Sequence, residues 1–187
     1  MMGQINISES DRNSVKQTIF QALFVSIEKL QNNMITKELE NIFYNIAQTD
    51  FENNQWPDCY SQILECLSND QEAMQLVGLC ALKELVRAFK LEIHESRKIT
   101  NDIGEQFLPG LEGLLSHVSQ NGDSKYQMKM MILIFQIFHM INQLNIAPIL
   151  QKPGKLKPWV DFIVGILENR QEGSNLEQHT DKMDEIE

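Results

Sequence analysis

Apolar residues recur three and four positions apart in seven successive segments, the period of an amphipathic helix, and no segment alternates as a strand would. The pattern predicts an all-α protein. A first helix is expected from Asp11 to Gln31, capped by Ser10 or Asp11, with Val15, Ile19, Ala22, Leu23, Ser26, Ile27 and Leu30 along one face. A second runs from Thr36, as cap, to Gln48 on a stripe of Leu39, Ile42, Phe43 and Ile46, and Asn53, Asn54 and Pro57 break the chain after it. The third spans Trp56 to Leu67, with Pro57 in its first turn, where a missing N–H costs nothing.

The fourth segment, Asp70 to Leu91, carries two apolar lines, Met74-Val77-Ala81-Leu85 and Leu79-Leu82-Val86-Phe89, so it is expected to touch neighbours on more than one side. Only its third side is charged. The fifth, Ser96 to Ser119, contains Pro109, whose lost hydrogen bond predicts a bend near Leu108. The sixth, Ser124 to Leu144, is apolar nearly all round and is expected to be sandwiched. Pro148, Pro153 and Gly154 form a connector, and Pro158 with Trp159 opens a seventh helix through Val160, Ile163, Val164 and Leu167.

Residues 1–10 and 170–187 lack the period, and the tail holds six acidic and two basic residues. Both ends are expected to be disordered around one helical unit over residues 11–169. Second members of successive helix pairs begin near residues 36, 70 and 124, intervals of 34 and 54. These straddle the roughly 40 to 47 residues of a HEAT or armadillo unit. An α-α superhelix of about three helix pairs plus one helix is the leading architecture, and a four-helix bundle with extra helices is the alternative. Contact between the first and sixth helices around a common centre would favour the bundle.

Composition narrows the function. The 187 residues are 42% apolar and 22% charged, with a formal charge of −10, the wrong sign for binding by phosphate neutralisation. Direct nucleic-acid binding is therefore not expected. Cys59, Cys66 and Cys80 form neither a CxxC pair nor an even set, so buried thiols in a reducing compartment are expected rather than disulfides or zinc. His94, His117 and His139 stand alone, Gly154-Lys155 lacks the rest of a phosphate-binding loop, and the opening residues lack a secretory apolar region. No cofactor, metal, catalytic group or membrane insertion is expected.

The segment DFENNQWPDCYSQILECL, from Asp50 to Leu67, resembles a recurring stretch of importin-β family transport receptors. It is followed by QLVGLCALKELVRAF, EQFLPGLEGLL, KMMILIFQIFHMINQL and WVDFIVGILENR, in an order similar to that of the importin-seven and importin-eight branch. The similarity extends over Asp11 to Arg170, a small part of a receptor's length. It implies a non-enzymatic nuclear transport receptor fragment, shuttling between cytoplasm and nucleus and binding protein cargo, nucleoporins and, through an incomplete site, the Ran GTPase. A small helical adaptor or regulatory bundle without a transport role is the alternative.

Within that resemblance Lys83, Arg87 and Lys90 form a line of cations on the fourth helix. They are read either as a solvated face or as a binding stripe for an acidic protein surface. On the second reading, reversing Lys83 and Arg87 to Glu is expected to weaken binding without unfolding the chain. Trp56, Pro57, Phe107, Pro109, Phe135 and Trp159 are expected as repeat-packing anchors, with Phe135 in an inner layer.

Overall fold

The computed structural model describes residues 8–51, 53–89, 95–120, 125–166 and 168, and every regular element among them is helical. Helix α1 (Glu9–Phe24) begins earlier than its apolar stripe, because the Ser8 hydroxyl accepts the N–H of Asp11 at 3.1 Å. Residues 8–10, expected to be disordered, therefore belong to the cap and first turn. Residues 1–7 and the tail at 170–187 lie outside the described residues.

Helix α1 also ends sooner than expected. Val25–Leu30 forms a wider π-helical turn, and Gln31, at φ 49°, stops it. Ser26 on this turn is buried, its Oγ 2.6 Å from Thr36 Oγ1. Thr36 is thus a buried partner within α2 (Asn33–Ile46) and not its cap; Asn32 takes that role, its side chain accepting from the N–H groups of Met34 and Ile35. A second π-helical turn, Ala47–Phe51, closes α2 and carries a buried Asp50.

Helix α3 (Cys59–Leu67) starts three residues beyond Trp56, which lies with Pro57 in the preceding turn. The Trp56 ring fixes that turn. It packs 5.0 Å from Phe43 and 6.5 Å from Phe20, and its N–H donates to Gln62 Oε1.

The remaining helices of this unit are α4 (Glu72–Phe89), α5 (Glu95–Gln120) and α6 (Gln127–Asn142). Helix α1 packs on α2, α3 on α4, and α5 on α6, while α4 lies between α2 and α6. This is the layering of a helical-repeat, superhelix-like fold, in which second members stand side by side. Thirteen of the eighteen residues of α4 are buried, as its two apolar lines require.

Helix α6 is not sandwiched all round. Its neighbours α4 and α5 cover Met130, Ile134, Ile137 and Ile141, whereas Met128 and Ile132 remain exposed. The apolar circumference read from the sequence is thus only partly covered.

The chain divides into two compact units, Met1–Asn145 and Ile146–Glu187, instead of the single unit expected over residues 11–169. The division falls just before Pro148, where the helical period is interrupted. The second unit contains a 3₁₀ turn at Pro148–Gln151, a turn with Gly154 at φ 80°, and helix α7 at residues 157–166.

Candidate functional site

The charged side of α4 emerges between α2 and α4, and it is built around a buried acid. Glu84 sits in the apolar run with no side-chain exposure, and both of its oxygens meet cations. Lys83 Nζ lies 2.9 Å from Oε1 and Arg87 Nε lies 2.7 Å from Oε2. Each cation also reaches across to α2. Lys83 donates to Glu40 Oε2 at 2.8 Å, and Arg87 donates to Asn41 Oδ1 at 3.2 Å with its guanidinium 4.2 Å over the Tyr44 ring. Burial pushes the Glu84 carboxyl above the usual carboxylate range, and Lys83 and Arg87 only partly draw it back. For Lys83 burial would lower the ammonium, but bonds to Glu40 and Glu84 outweigh it and the net shift is upward.

The stripe of three cations therefore changes meaning. Lys83 and Arg87 clamp α4 to α2 and neutralise Glu84, and Lys90 lies outside the described residues. Reversing Lys83 and Arg87 to Glu would set four carboxylates against one another at a buried junction, so the reversal is expected to unfold this region, contrary to the sequence reading. Arg87 keeps about a third of its side chain exposed (35%), enough to touch a partner while it serves the clamp.

A second buried acid was hidden from the helical pattern because its partners are distant in sequence. Asp50 has no side-chain exposure, and it takes Arg12 Nε at 3.2 Å and Lys16 Nζ at 2.5 Å from α1. Lys16 additionally donates to the carbonyl of Gln55 at 3.0 Å, tying α1 to the turn before α3. Only the cationic pair at i and i+4 on α1 hinted at it.

At one end of the layers, Glu28 on the first π-helical turn accepts a bond from the Tyr126 hydroxyl and pairs with Lys125 at 3.3 Å. The Tyr126 bond, aided by Lys125, holds the Glu28 carboxyl below its usual range. A cleft of about 290 Å³ beside this bridge is lined by Ser26, Asn32, Thr36, Tyr126 and Lys129. The first and sixth helical segments thus meet through polar side chains at a rim, while Phe135 is half-buried on α6. It does not stand in the enclosed layer expected of it.

Among the other expected anchors, Trp56, Phe107 and Trp159 are buried, and Pro57 and Pro109 are exposed. Phe107 makes an edge contact with Tyr60 at 5.4 Å, and Tyr60 in turn stacks on Phe51 at 5.1 Å, so rings pass from α5 through α3 to the end of α2. The two prolines are backbone devices, not packing groups. All three cysteines are buried free thiols, burial pushing Cys59 up to about 12 and Cys66 up to about 11. No group of His, Cys, Asp or Glu among the described residues is arranged to hold a metal, and no helix there is long and apolar enough to cross a membrane.

No family model and no solved structure matches the chain. Nonsense-mediated mRNA decay protein 5 of Saccharomyces cerevisiae is 23% identical over 168 residues, which cover 87% of this chain and 16% of that protein. The chain thus spans about a sixth of the length of the curated relative it matches. This corrects the resemblance to the importin-seven and importin-eight branch. What the comparisons support is a weak, partial likeness to a protein of another name, and no family membership follows from it.

Proposed function

We propose that this chain works by binding protein, as a non-catalytic segment of a helical scaffold that takes part in nuclear transport. The observation that supports this reading is the layering of the helix pairs, with α4 between α2 and α6, which is the arrangement of helical-repeat scaffolds that work by binding other proteins. Protein cargo, nucleoporins and Ran are the partners proposed, with cytoplasm and nucleus as the compartments. The relative's name speaks of mRNA decay. Brought to this chain, it would mean a role exercised through proteins, since a charge of −10 opposes contact with phosphate.

Retention of the full chain on immobilised Phe-Gly peptide, competed by the soluble peptide, together with accumulation at the nuclear rim, is the expected outcome. Loss of both would leave the alternative, a small helical adaptor without a transport role. Calorimetry with GTP-loaded Ran is expected to show weak or no binding, because the segment holds at most part of such a site. Submicromolar affinity would contradict that division.

A further inference from the structure

Helix α7 is apolar on two sides. Trp159 is buried, yet Val160, Ile163 and Val164, spaced three and four residues apart, form a stripe on another side with each residue 39 to 46% exposed. Uncharged β-branched residues in such a stripe call for a helix opposite them.

We infer that this stripe receives the same helix of a second copy of the chain, in an antiparallel two-fold pair. The charges on its flank favour that occupant. Lys157 stands near the start of the helical segment and Glu168 near its end, both exposed and on the same side of the stripe. An antiparallel copy centred on Ile163 and its neighbours places Lys157 of one chain beside Glu168 of the other, twice per pair, and sets the two helix dipoles in opposition. Asp161, already 2.5 Å from Lys157, lies at the middle of the same flank. A parallel two-fold copy would set this flank against the opposite flank of its partner, so Lys157 and Glu168 would not meet. Such a stripe is far smaller than the about 800 Å² per partner of a standard interface, so the association is weak and depends on concentration.

Sedimentation equilibrium of the full chain tests it. The apparent mass is expected to climb from one copy towards two between about 10 µM and about 500 µM, the range proper to an interface of this size. Val160→Ser with Val164→Ser should hold the mass at one copy over that range, with the helical circular dichroism unchanged. Lys157→Glu should weaken the dimer several-fold, and adding Glu168→Lys should restore it. A single-copy mass throughout, or a dimer indifferent to the serine pair, would overturn the inference. Failure of Lys157→Glu with Glu168→Lys to restore association would overturn the antiparallel arrangement.

Discussion

Glu84 shows how one side chain can invert the meaning of its neighbours. A carboxylate buried in an apolar helix is tolerable only while both oxygens are met, and Lys83 and Arg87 meet them. Lys83→Met leaves Glu84 with Arg87 alone and Glu40 with no lysine, and is expected to cost about 1–3 kcal/mol in urea unfolding. Removing the acid as well, by Glu84→Met in the same chain, should recover much of that loss, since two apolar side chains replace a pair whose desolvation is expensive. A double variant no more stable than the single one would show that Lys83 acts through Glu40 instead. Because the carboxyl of Glu84 is raised in the folded chain, its contribution is greatest below pH 4.5 and is lost as pH rises through the folded value. Acid titration of the Glu84→Gln variant should accordingly show no loss of stability relative to the parent near neutral pH from this group. The three thiols make a second residue-scale case. With Cys59 held near 12 and Cys66 near 11 and all three buried, none should react with a thiol reagent at pH 8 until denaturant is added, when all three should react. Fast labelling of the native chain would show that these helices open readily.

Helix contacts decide what a glycine can become. A Cβ added at Gly78 would lie 3.0 Å from Cys66 Cβ and from the Leu67 side chain, so this glycine lets α4 approach α3 closely. Gly78→Ala should therefore cost about 1–3 kcal/mol, as overpacking does. Gly110→Ala and Gly113→Ala, on the open side of α5 with nothing within 4 Å, should stabilise by about 0.5–1 kcal/mol each, because alanine favours helix. Thermal unfolding of the three variants reads the sign directly, and a stabilised Gly78→Ala would refute the close approach. At this scale much was legible in advance. The two apolar lines of α4 announced a helix with neighbours on several sides, since the spacing of buried residues is a local property. Helix ends were read less well. Asn32 caps α2 because Ser26 and Thr36 bury their hydroxyls together, a contact ten residues apart that no local stripe encodes. The exposure of Met128 and Ile132 on α6 was hidden for the same reason: sequence showed an apolar circumference, and only the number of neighbours decides how much of it is covered. The cations of α4 were found, but the clamp they form was not, because the burial of Glu84 between them and the reach to Glu40 and Asn41 depend on α2, a neighbour that local spacing does not name.

Charge belongs to the molecule as a whole, and it makes the last prediction. Twenty-six acidic residues against sixteen basic ones give a repulsive field for any polyanion, and the partners already held by Lys83, Arg87, Arg12 and Lys16 reduce the cations available further. Nucleic-acid affinity that rests on phosphate neutralisation rises steeply as salt is withdrawn. An electrophoretic titration of single-stranded RNA in about 50 mM salt, where such contacts are strongest, should therefore show no shift up to the highest protein concentrations at which the chain stays in solution. The same preparation is expected to be retained by Phe-Gly peptide, whose recognition depends on apolar grooves and not on phosphate. RNA binding that weakened on raising the salt would refute the expectation drawn from charge. Absence of RNA binding alongside peptide retention would support a role exercised through protein contacts, as the charge of −10 requires.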